Sequence, residues 1–116
     1  MVRFAVVGLG MGRGRSHLIQ KTEGAELKCV IDLNEELAKK NGEELNVEWT
    51  TNFDEALGRD DIDCVMVMTP SGTHAELGVR AAKSGKHVIT TKPMDVTTEA
   101  CDRLISACDE AGMILA

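Results

Sequence analysis

Short apolar runs alternate with amphipathic stretches along the whole chain, and few architectures accommodate that order. "VRFAVVG" ends in a glycine and reads as a strand buried on both faces. "RSHLIQK" follows as a short helix closed by Gly24. "ELKCVI" is the second strand, and "NEELAKKNG" a helix with its stop at Gly42. "NVEWT" makes a short third strand and "FDEALG" a helical stretch, before "DCVMVM", the most apolar strand. "THAELGVRAAKSG" sets Ala75, Val79 and Ala82 on one helical face, with Gly85 as its C-cap. "HVIT" is the fifth strand. In "TTEACDRLISACDEAG", Ala100, Leu104, Ala107, Cys108 and Ala111 recur at helical spacing up to Gly112, and "MILA" begins a sixth strand. Connections this short suit right-handed parallel crossovers. The expectation is an α/β, doubly wound (Rossmann-type) parallel sheet of order 3-2-1-4-5-6 in three layers, one domain over 1–116.

Composition removes several classes of function. A formal net charge of −6 without a basic tract argues against nucleic acid as a partner. No apolar run approaches the ~20 residues that span a bilayer, so no membrane role is expected. The first residues lack a basic region and a small-residue cleavage site. The four cysteines, Cys29, Cys64, Cys101 and Cys108, form no C-x-x-C pair and have no His at metal spacing. No metal is expected, and a reducing, cytoplasmic setting suits them. Cys101 and Cys108 lie on one helical face and read as buried small residues.

Where the first strand meets the first helix stands "GLGMGRG". A tight turn there needs a residue without Cβ. A second glycine lets backbone N–H groups approach a pyrophosphate, and a third lets helix and strand pack closely. Gly8 and Gly10 fill the first two roles, while Arg13 stands where the strict G-x-G-x-x-G has its third glycine. Gly12 and Gly14 are the candidates to replace it. The loop alone fits a structural turn, a dinucleotide loop or an S-adenosylmethionine loop. Asp32 lies about 20 residues further on, at the end of the second strand, where a carboxylate receives the adenosine ribose hydroxyls and repels a 2′-phosphate. It could equally cap the next helix. Asp32 favours NAD. Arg13 leaves NADP open, since a guanidinium there could take the extra phosphate or pair with the pyrophosphate.

Ligands of open α/β sheets collect at the carboxyl ends of the strands. The fourth strand ends "MVMTPSGTH" and the fifth "VITTKPM", each with a proline-stiffened turn. A lysine in the position of Lys92 can donate to a substrate hydroxyl, and burial can lower its pKa.

With these segments in view, the chain resembles the dinucleotide-binding half of the glucose-fructose oxidoreductase and inositol dehydrogenase (Gfo/Idh/MocA) family. The resemblance rests on "VVGLGMGRGRSH", "VIDLNEELA", "DIDCVMVMTPSGTHAELGVRAAKSGKHVITTKPM" and "TTEACDRLISACDEAGMIL". It implies that Gly8, Gly10 and the backbone of Met11, Gly12, Arg13 and Gly14 hold the pyrophosphate of NAD(P). It implies also that Asp32 holds the adenosine ribose. Thr69, Pro70, Ser71 and His74 match the segment beneath the nicotinamide-side ribose, although His74 could simply cap the following helix. Lys92 matches the lysine of Glu-Lys-Pro, which contacts the cofactor ribose and the hydroxyl being oxidised; Pro93 follows it. His17 matches a histidine of the first helix and reads as a packing residue. Two departures stand out. Thr91 replaces the Glu of Glu-Lys-Pro, which removes a charge beside Lys92, and the glycine loop is one residue longer before the histidine.

The function so implied is the NAD(P)-binding domain of an oxidoreductase that moves hydride between a nicotinamide cofactor and a polyol, sugar or related hydroxy compound. In the family a second α/β domain supplies the substrate pocket and the oligomer interface. That domain is absent from these 116 residues, so nucleotide binding without turnover is expected of this chain alone, and a homo-oligomer stays open. The alternatives are a stand-alone NAD-responsive interaction module and an S-adenosylmethionine-binding domain.

Overall fold

The computed structural model describes residues 1–91 and 94–116, with Ser71 described through its backbone. Strand β1 (Val2–Val7) leads into α1 (Gly12–Lys21), then β2 (Ala25–Ile31) and α2 (Glu35–Leu45). β3 (Glu48–Thr50), α3 (Phe53–Leu57) and β4 (Cys64–Val67) follow. A 3-10 turn (Ser71–Thr73) opens α4 (His74–Lys83), and β5 (His87–Thr90) and α5 (Thr98–Ala111) complete the order. The strands are parallel and lie as β3-β2-β1-β4-β5, the expected winding. The expected sixth strand is present as a single parallel bridge, Leu115 to Val88, on the outer side of β5.

Side chains alternate across a strand, so neighbouring residues serve different layers. Ala5 and Val7 of β1 join Ile31, Val65 and Val67 against Phe53, Ala75, Ala82 and Leu104 of α3, α4 and α5. Val6 and Val30 point the other way and pack with Ile19, Ala38 and Leu45 of α1 and α2. Three layers result, with both sheet faces dry. Among the cysteines, Cys29, Cys64 and Cys108 are buried and Cys101 is half-buried, and all are free thiols. Burial pushes the Cys29 thiol up to about 11 and the Cys64 thiol up to about 12, so neither ionises near neutrality. No helix among the described residues is long and apolar enough to cross a membrane.

One helix stop differs from expectation. α2 runs through Gly42 and ends at Asn46, which adopts the left-handed conformation at φ 55°. Gly42 is there because Trp49 of β3 crosses it: a Cβ would lie 2.6 Å from the indole Cδ1. A glycine taken for punctuation is instead a groove for an aromatic ring. Gly112, by contrast, ends α5 as expected, at φ 70°.

Candidate functional site

β1 is the hinge of the winding, paired with β2 on one side and β4 on the other, so Val7 faces both Ile31 and Val67. Beyond that point the chain leaves toward opposite faces of the sheet, and a crevice opens between the departing loops. Gly8 makes the turn at φ 91°, and a Cβ there would lie 2.7 Å from the backbone of Met68 and Thr69. The ends of β1 and β4 therefore touch through the absent side chain. Gly10 faces open space on the crevice side.

Gly12 rather than Gly14 takes the close-packing role. Its Cβ would lie 2.8 Å from Val6 Cγ1 and 3.3 Å from Met68 Cβ, whereas nothing approaches Gly14 within 4 Å. Gly12 is buried as the first residue of α1, and its carbonyl accepts from Ser16 Oγ at 2.8 Å. Helix and sheet meet at this glycine, one residue earlier than in the strict motif. No side chain caps α1 and no acidic residue sits in its first turn, whereas Asn34, Asn52 and Thr97 cap α2, α3 and α5. An uncapped helix start beside a glycine turn suits a pyrophosphate.

Asp32 follows β2 directly and is half-buried. One carboxylate oxygen accepts from the Leu9 N–H at 2.9 Å, and the other from the Asn34 N–H at 2.9 Å. The helix cap is Asn34, whose Oδ1 accepts from the Leu37 N–H at 3.1 Å, so capping is not the work of Asp32. Asp32 instead ties the end of β2 to the glycine loop and lines the crevice.

The crevice encloses a cavity of about 540 Å³. Its lining brings together Val7, Gly8 and Gly10 of the β1 end, Asp32 and Leu33 after β2, and Thr69, Pro70 and Thr73 after β4. Arg80 also lines it, with its guanidinium 5.0 Å from the Phe53 ring centroid and an ion pair to Asp54. Leu33, also in the lining, is an apolar residue 89% exposed next to Asp32.

The β4 turn is held from within. Thr73 Oγ1 lies 2.7 Å from Thr69 Oγ1 and donates to the Pro70 carbonyl at 2.6 Å. His74 is 2% exposed, and its Nε2 lies 2.6 Å from the Thr69 carbonyl. A carbonyl only accepts, so that nitrogen carries the proton. Asp95 reaches back from beyond β5: its Oδ2 accepts from the Ala75 N–H at 2.8 Å and its Oδ1 from the Val96 N–H at 2.6 Å. These donors hold the Asp95 carboxyl below the usual carboxylate range. Sequence reasoning missed both Thr73 and Asp95. Thr73 lies inside a quoted motif, but Asp95 has no local signal, because its partner is 20 residues away.

The remaining candidates divide. Met11 is exposed at the loop. Arg13 turns from the crevice to pair with Glu44 of α2 at 2.6 Å. His17, expected to pack, is partly exposed, with Nε2 3.2 Å from the same Glu44 oxygen. Thr91 is half-buried just after β5. Lys92 and Pro93 lie outside the described residues, as does the Ser71 side chain.

The residues present fit a dinucleotide: a turn that tolerates no Cβ, an uncapped helix start, and a carboxylate at the neighbouring strand end. Comparison with known proteins agrees. Residues 2–116 match the family model GFO_IDH_MocA, described as an oxidoreductase family with an NAD-binding Rossmann fold. The chain is 35% identical over 111 residues to an "Uncharacterized oxidoreductase" of Streptococcus pneumoniae, covering 95% of this chain and 30% of that protein. It is 34% identical over 117 residues to the scyllo-inositol 2-dehydrogenase (NAD(+)) of Bacillus subtilis, covering 97% of this chain and 34% of that one. The crystal structure of KijD10, a 3-ketoreductase from Actinomadura kijaniata in complex with NADP and TDP-benzene, superposes with a TM-score of 0.91. Identity there is 28%, over 98% of this chain and 36% of that one. The chain thus spans about a third of the length of these relatives. With the match running through the glycine turn, Asp32 and the β4 and β5 ends, the chain belongs to the Gfo/Idh/MocA oxidoreductase family, of which it carries the NAD(P)-binding Rossmann domain.

Proposed function

We propose that this domain holds NAD(P) in the crevice at β1 and β4, for hydride transfer to or from a polyol, sugar or related hydroxy compound. The carrying observation is the Leu9–Asp32 hydrogen bond of 2.9 Å, which fixes the glycine turn and the β2 carboxylate as one unit beside the cavity they line. Gly8, Gly10 and the α1 start receive the pyrophosphate, and Asp32 accepts from the adenosine ribose hydroxyls. The Thr69–His74 turn forms the wall toward the nicotinamide. Bound NAD(P) supplies the hydride acceptor or donor. Lys92, by its match to the lysine of Glu-Lys-Pro, takes the hydroxyl proton as hydride leaves the adjacent carbon. Thr91 leaves that lysine without the neighbouring carboxylate of the family pattern. The substrate's other contacts belong to parts of the relatives that this chain does not span, and positioning them is a large part of catalysis.

The test is titration of NADH into the chain, followed by the fluorescence of the nicotinamide. Asp32→Asn removes a charged acceptor from the ribose, a contact worth about 1.5–3 kcal/mol. NADH affinity is expected to fall about tenfold or more, while NADPH, relieved of repulsion, falls less. Equal losses for the two cofactors would show that Asp32 acts only through the loop it braces.

A further inference from the structure

Glu44 does not line the crevice, yet it pairs with Arg13 of the glycine loop. Arg13 follows Gly12 in the first turn of α1. α2 starts next to Asp32 and runs back along the domain. Glu44, near its far end, is therefore about 13 Å from the helix start at 1.5 Å per residue. The Arg13 guanidinium is drawn toward that end: its Nη2 lies 2.6 Å from Glu44 Oε1. His17, one turn along α1, shares the same oxygen at 3.2 Å. The Arg13 bond comes first among the influences that hold the Glu44 carboxyl below its ordinary range. At the Asp32 end, the carboxylate accepts from the backbone N–H groups of Leu9 and Asn34. A 2′-phosphate would meet a carboxylate there, while the loop's own guanidinium is held elsewhere.

We propose that Glu44 is a specificity-determining residue for the cofactor: by holding Arg13 along α1 it withholds the cation that a 2′-phosphate needs, and so biases the domain to NAD. This rests on the cofactor reading above. Neutralising Glu44 releases the guanidinium of a side chain that is 53% exposed. The arginine then redistributes toward the crevice, where a dianionic phosphate attracts it more strongly than water does.

The experiment compares NADH and NADPH dissociation constants for the unaltered chain, Glu44→Gln, and Glu44→Gln combined with Arg13→Ala. An exposed pair is worth at most a factor of about five. Glu44→Gln is expected to improve the NADPH-to-NADH affinity ratio about threefold to fivefold, and Arg13→Ala in the same chain should erase the gain. An unchanged ratio in Glu44→Gln overturns the proposal, as does a gain that survives without Arg13. Failure of the unaltered chain to bind either nucleotide overturns the cofactor reading and this proposal with it, an outcome distinct from binding with an unmoved ratio.

Discussion

Gly12 and Gly14 stand two residues apart at the start of one helix, and substituting each with alanine separates packing from helix propensity. Gly12→Ala puts a methyl 2.8 Å from Val6 Cγ1, with Met68 Cβ and Cγ at 3.3 and 3.4 Å. Carbon atoms prefer separations of about 3.5–4.0 Å, so the nearest contact is compressed by roughly 0.7 Å or more. Val6 has no exposed surface and its branched side chain is stiff at χ1, so it cannot swing away. Overpacking of this kind costs about 1–3 kcal/mol, partly offset by the ~1 kcal/mol gained when alanine replaces glycine in a helix. Gly14→Ala receives the same propensity gain with nothing within 4 Å to oppose it. The difference between the two variants therefore isolates the packing term, about 1–3 kcal/mol in favour of Gly14→Ala. Urea unfolding measures it, with Trp49, the single tryptophan, as the fluorescent reporter. Gly14→Ala should lie above the unaltered chain and Gly12→Ala below it. If both alanines stabilise alike, the helix does not rest on the sheet at Gly12. If the order reverses, Gly14 is the third glycine of the loop.

Two further predictions concern buried charges. Lys86 is 7% exposed, and its Nζ donates to the carbonyls of Arg59 at 2.5 Å and Ile62 at 2.8 Å; Lys86→Met keeps the stem but strands both acceptors. It should lower unfolding stability by about 2–4 kcal/mol, and a loss below ~0.5 kcal/mol would show that the carbonyls find other donors. The Asp95 carboxyl is held below its usual range by the Ala75 and Val96 N–H groups, so its contribution is complete above the unfolded value near ~4. It is lost as the pH falls through the lower folded value. Asp95→Asn should be about 1 kcal/mol less stable at neutral pH, with the gap closing in acid. A gap that does not change with pH would mean that the charge of Asp95 plays no part.

The elements that could be read from sequence are those whose cause is local. Gly112 ends α5 because the chain must turn left-handed there, and alternation places Ala5 and Val7 on the face opposite Val6 without reference to any partner. The same holds for the central strand order, since short crossovers of one hand leave little choice. Gly42 defeats local reading because its reason is an indole in another element, and a glycine that fits a ring looks in sequence like a glycine that ends a helix. The site divides along the same line. Gly8 and Asp32 are legible because each closes a strand: the turn after β1 tolerates no Cβ, and the acid that ends β2 bonds the glycine loop directly. Arg13 is not. In sequence its charge leaves NADP open, yet that charge is answered by Glu44, 31 residues away on a neighbouring helix. No spacing rule links the two, since the pair exists only once α1 and α2 lie on the same sheet face. A basic residue in a glycine loop therefore says little about the 2′-phosphate until the carboxylates of the facing helix are known.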